Sequence, residues 1–132
     1  MQGHVIHVLD YFLPQQTGYV YRSLALLKAQ ADMGLSPIVL LSPRAAASQS
    51  DAALEAARSQ CPYPLFVVGR ADGALANPAN TLAGKMRTFC PPLYLRAEIA
   101  ATAKAISQLA LDYEALAVHA HSPVLWAKAA LR

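Results

Sequence analysis

The sequence predicts an α/β domain: a Rossmann-like parallel sheet of strand order 3-2-1-4 with helices on both faces. Three observations lead there. Short β-branched apolar runs at 5–9 and 37–41 flank a stretch with helical periodicity, which is the pattern of a β-α-β unit. A second apolar run near the far end, closing on His119-Ala120-His121-Ser122-Pro123, again precedes a helical pattern. The chain has 132 residues, 55% of them hydrophobic and 14% charged, enough apolar material for one domain with a real core and too much for disorder.

Val5-Ile6-His7-Val8-Leu9 is short and β-branched, which suits a buried parallel strand. After a loop containing Pro14, Val20, Leu24, Leu27 and Ala31 recur at helical spacing, giving a helix over 18–33, with Gly34 placed for a left-handed cap. Pro37-Ile38-Val39-Leu40-Leu41 is the second strand, stopping at Ser42-Pro43, and its crossover should be right-handed. Alanine-rich 45–60 predicts a second helix starting near Ser48 to Ser50. Leu65-Phe66-Val67-Val68, bounded by Pro64 and Gly69, is the third strand. The stretch 70–92, with Gly73, Pro78, Gly84 and Pro91-Pro92, reads as loop with one helical turn around 82–87. Ile99, Ala103, Ile106, Ala110 and Tyr113 mark a helix over 94–113, with Arg96, Glu98, Lys104 and Gln108 off its apolar face. Strand four is expected at 115–119, and a further helix from Val124 behind Pro123. A sheet stopping one helix after its fourth strand looks like part of something larger.

The net charge of +3 is scattered, with no block of Lys and Arg to mark a nucleic-acid stripe. Cys61 and Cys90 fall in no zinc or redox spacing and read as unpaired thiols of a reducing cytoplasm. No charged leader and no membrane-length apolar run is present, so the expected place is the cytoplasm. The apolar balance points to a partner-facing surface, with a homodimer expected ahead of a monomer. Lys85, Arg87 and Arg96, with Met86 and Phe89 between them, read either as a solvated loop or as a peripheral contact with the inner face of a membrane.

Both strand-end loops would open at the carboxyl edge of the sheet, where such folds bind ligands, and they share one crevice if strands one and four are neighbours. Gly18 starts a helix whose free amides favour an anion such as phosphate; alternatively it is only a flexible turn behind a Thr17 cap. Neither a dinucleotide fingerprint nor a P-loop is present, which argues against a Rossmann dehydrogenase. His119 and His121, two apart, share one face of an extended strand. His119 reads as a hydrogen-bonded core histidine and His121 as facing the crevice. A metal is not expected, because no neighbouring carboxylate or thiol completes a site. His4 and His7 point to opposite faces. Asp10 either orients a histidine across the crevice or caps its own loop, and Tyr11, Tyr19 and Tyr21 either line a pocket or pack around the loop.

Taken together, His7-Val8-Leu9-Asp10, Leu13-Pro14, Thr17-Gly18-Tyr19, Arg22, Gly34, Leu41-Ser42-Pro43-Arg44 and His119-Ala120-His121-Ser122-Pro123 resemble the amino-terminal domain of a family four glycosyltransferase of the GT-B fold. The branch it is most similar to serves bacterial exopolysaccharide assembly. The matching segments cover about the first third and the last fifth; 45–92 carries no recognisable motif. The resemblance implies a retaining transferase that moves a sugar from a nucleotide-diphosphate donor to a saccharide or lipid-linked acceptor, without a bound metal or other cofactor. Residues 1–132 would form the acceptor-side domain, incomplete, with the nucleotide-binding carboxyl-terminal domain absent, and by themselves would show no turnover. Gly18 would approach the donor phosphate or sugar, and His121 would act beside the transferred sugar. Thr17, Tyr19, Arg22, His119 and Ser122 would bind substrate. Thr17-Gly18 stands where many relatives have two glycines, which bears on how closely a donor can approach. The rival readings are a non-catalytic α/β module that self-associates through its sheet edge, and a flavodoxin-like phosphate-binding domain.

Overall fold

A computed structural model describes residues 3–68 and 91–121. Four parallel strands, β1 (His4–Leu9), β2 (Ser36–Leu41), β3 (Leu65–Val67) and β4 (Ala115–Ala120), form one sheet in the order β3-β2-β1-β4. This is the expected Rossmann-like arrangement. The central strands β1 and β2 are buried on both faces because helices cover both sides, which is why they read as unbroken apolar runs.

Alternate residues feed two separate cores. On one face Ile6, Val8, Ile38 and Leu40 pack against Ile99, Ile106 and Leu109 of α4 (Pro91–Tyr113). On the other, Leu9, Val39, Leu41 and Val67 meet Leu27 of α1 (Gly18–Asp32), Ala45 and Ala46 of α2 (Pro43–Ser48), and Leu54 of α3 (Asp51–Gln60). His4 follows the first set and meets the Tyr113 ring edge-on, while His7 follows the second. The two histidines do lie on opposite faces.

Helix α1 ends in a Schellman motif: the Leu35 amide donates to the Gln30 carbonyl and the Gly34 amide to that of Ala31, with Gly34 at φ +86°. The cap lies where the sequence placed it. The alanine-rich segment holds the expected helix as α3, and a short helix before it, α2, that was not expected. Ser42 caps α2 by accepting from the Ala45 amide, and Ser50 caps α3 by accepting from that of Ala53. Pro43 in the first turn of α2 uses a position whose amide needs no partner, so a residue read as a stop begins a helix. Pro91 and Pro92 do the same for α4, which begins earlier than predicted. On α4, Glu98 is buried, since it falls with Ile99, Thr102, Ile106 and Leu109 on the stripe facing the sheet. Thr102 satisfies its hydroxyl there by donating to the Glu98 carbonyl. Glu114 adopts a left-handed φ of 50° and turns the chain directly into β4. The readings for 69–90, with Cys90, and for 122–132, with Ser122 and the last helix, lie outside the described residues.

Two substitutions test this account of the frame. Gly34→Ala should cost about 1 kcal/mol, because alanine is strained in the left-handed conformation. Ser42→Ala removes the α2 cap and the hydroxyl that donates to buried Asp10, and should cost about 2 kcal/mol. Urea unfolding midpoints check both.

Candidate functional site

The parallel register pairs His7 of β1 with His119 of β4, so both side chains leave the same face of adjacent strands. His121 lies just beyond β4, where its amide donates to the Val8 carbonyl and continues the pairing. Three imidazoles therefore meet at the carboxyl edge. The rings of His119 and His121 stack with centroids 4.4 Å apart, and each lies within 5.3 Å of the His7 ring.

Hydrogen bonds order this group. His7 is fully buried, and its Nε2 donates to Gln30 Oε1 of α1 at 2.7 Å. That leaves His7 Nδ1 as an acceptor, and it takes the Nε2 proton of His121 at 2.9 Å. His121 Nδ1 in turn accepts from the Ser23 hydroxyl at 3.4 Å. The chain from Ser23 through His121 and His7 to Gln30 satisfies both nitrogens of each ring with both rings neutral.

Electrostatics reinforce neutrality. Burial holds His7 below the usual histidine value, opposed by its bond to Gln30 and helped by His119. His121 is lowered to about 4, first by burial, then by His119, His7 and the Arg22 guanidinium. Arg22 is an exposed residue whose charge is felt at His121, so the first helical turn and the histidine group share one neighbourhood.

Around them the first loop supplies an aromatic wall. Tyr19 meets His121 edge-on at 6.3 Å and Tyr11 at 5.6 Å. Tyr21 points elsewhere, exposed and bonded to Gln16. Thr17 caps α1 by accepting from the Val20 amide. A side-chain carbon added at Gly18 would meet nothing within 4 Å, so the side of this glycine is open. Asp10, buried at the β1 terminus, accepts from Ser42 and ties the ends of β1 and β2 together, an assignment neither sequence alternative contained.

One expectation is corrected. His119 is exposed, not a core histidine, because β4 is covered on this face less completely than β1 and β2, whose face α1 to α3 occupy. The buried histidine is His7. Sequence reasoning also missed Ser23 and Gln30, which share one face of α1 at a spacing of seven and are both turned toward the sheet. That spacing from a polar pair on an otherwise apolar stripe was the available signal. Arg96 is exposed on α4; its partners in the basic face, Lys85 and Arg87, lie outside the described residues. Cys61 carries a free thiol that burial pushes up. Among the described residues no helix is long and apolar enough to cross a membrane.

The pH response follows from the depressed imidazole. The unfolded chain takes up a proton near the ordinary value of 6.5 and folded His121 only near 4, so stability is highest above 6.5 and falls as pH drops through that window. Discounted for partial exposure, the loss between pH 7 and pH 5 should be about 1 kcal/mol. Urea unfolding at the two pH values measures it, and His121→Gln should flatten the profile.

No family model matches this chain, nor does any curated protein or solved structure.

Proposed function

We propose that this domain is the acceptor-side half of a GT-B glycosyltransferase, which transfers a sugar from a nucleotide-diphosphate donor with retention, in the exopolysaccharide branch the motifs resemble. The observation that carries the reading is that the turn starting at Gly18 and the tip histidine His121 belong to one crevice, linked by Tyr19 against His121 and by Ser23 bonded to it. In this reading the open α1 terminus at Gly18, with Thr17 and the Arg22 charge, receives the anionic diphosphate or the sugar attached to it. His121 sits beside the transferred sugar. Neutral and held between Ser23 and His7, its ring packs beside the sugar without adding a positive charge next to an oxocarbenium-like centre. Tyr19 and the exposed His119 form the wall of the acceptor side, and Ser122 follows in sequence. The donor is a substrate, and its nucleotide would be held mainly by a second domain. Such a protein would work in the cytoplasm, at the inner face of the membrane when its acceptor is lipid-linked.

One observation favours the rival self-associating module. Leu116 on β4 and Leu111 on α4 are large apolar side chains at 70% and 77% exposure, beside a strand with a single sheet neighbour among the described residues. Sedimentation of the chain over a concentration series reads that association directly.

Titration with uridine and guanosine diphosphate sugars, followed by amide and imidazole resonances, tests the transferase reading. One donor should perturb Gly18, Tyr19 and His121 together. Gly18→Ala should leave the urea midpoint within about 0.5 kcal/mol, since the added carbon meets nothing, while weakening the donor at least tenfold. Donor sugars that leave all three positions unmoved at millimolar concentration overturn the assignment.

A further inference from the structure

We propose that His7, His119 and His121 form a binding site for a divalent transition-metal ion, zinc by its chemistry, that clips β4 to β1 at the carboxyl edge of the sheet. One ring nitrogen from each residue lies within 4.8 Å of the others. Three imidazoles with an open fourth position are an established zinc ligand set, and imidazole suits zinc, copper and nickel better than it suits the oxygen-seeking cations. The sequence argued against a metal because no carboxylate or thiol stands beside His119 and His121. The third ligand is instead another imidazole, more than a hundred positions earlier in the chain and brought opposite His119 by the parallel register.

The surroundings are those of a built site. A ligating histidine ordinarily has its other ring nitrogen held by an oxygen, which fixes ring orientation and tautomer. His7 Nε2 is held by Gln30 Oε1 and His121 Nδ1 by Ser23 Oγ, both from α1, so His7 Nδ1 and His121 Nε2 are left facing each other at 2.9 Å. Tetrahedral ligation at the usual zinc–nitrogen bond length separates nitrogens by about 3.3 Å, so this pair has to open by about 0.4 Å. His119 is exposed, and its ring, stacked on His121, has to turn to bring a nitrogen into place. No net proton leaves: His7 already presents a lone pair at Nδ1, and His121 moves its proton from Nε2 to Nδ1, where it is donated to Ser23. His119 is the exposed member of the three, and on its side a fourth position would take a water or an anionic oxygen.

This site does not depend on the transferase reading, and its test uses no nucleotide. Untagged, chelator-treated protein is titrated with zinc by calorimetry and with cobalt by visible absorption. The expected result is one zinc per chain at micromolar concentrations, a cobalt spectrum of the intense four-coordinate type, and a rise in Tm with zinc. His119→Ala, at an exposed position that leaves the core intact, should weaken zinc at least tenfold and abolish the Tm rise. His121→Ala should do the same, and His4→Ala, on the opposite face of the sheet, should change neither. The proposal is overturned if the folded wild-type protein takes up no stoichiometric zinc, if cobalt shows only the weak six-coordinate spectrum, or if His119→Ala and His121→Ala bind as the wild type does.

Discussion

A buried imidazole needs a partner at each nitrogen, and this requirement at His7 organises the carboxyl edge of the sheet. His7 has no contact with water and carries two polar atoms into the layer between the sheet and α1. Gln30 answers one and His121 the other, so one side chain ties the last turns of α1 to the tip of β4 across β1. Removing any member would leave a desolvated donor or acceptor, which costs more than the bond itself contributes. The position of His121 is therefore set by the interior of the fold as much as by its own loop.

The same edge is held a second time on the β2 side. Asp10 at the end of β1 accepts from Ser42, whose amide donates to the Leu9 carbonyl and whose hydroxyl caps α2. Between these two polar ties, Tyr11 of the intervening loop rests against Tyr19 in the first turn of α1, and Tyr19 against His121. The crevice is thus framed by side chains that are either buried or packed, while Gly18 and Arg22 face open space. A rigid frame around an open, positively biased helix start is an arrangement able to orient an anionic ligand without first ordering its own walls.

Neutrality is the chemical consequence. His7 and His121 lie in a partly desolvated space beside the Arg22 charge, and burial there disfavours the protonated form of either ring. The group therefore meets ligands as hydrogen-bonding and lone-pair chemistry. The proposed sugar contact and the proposed metal site share His121.

Local pattern determined the strands, α1 and its Gly34 cap, because short β-branched runs alternating with helical stretches at these spacings close as parallel β-α-β units in few sterically acceptable ways. It also brought Gly18, at a helix start, and His121, at a strand tip, forward as candidates for one site, on the condition that β1 and β4 are neighbours, which the fold meets. The division of 43–60 into two helices was less legible, since serine and proline read as punctuation and served as helix starts. Which histidine is buried was decided only by tertiary structure. His7 and His119 carry the same side chain on the same sheet face, and only the placement of α1 over β1 makes one a core residue and leaves the other at the rim. The three-histidine group likewise depends on a contact between residues 7 and 119 that parallel register creates, and no spacing along the chain encodes it.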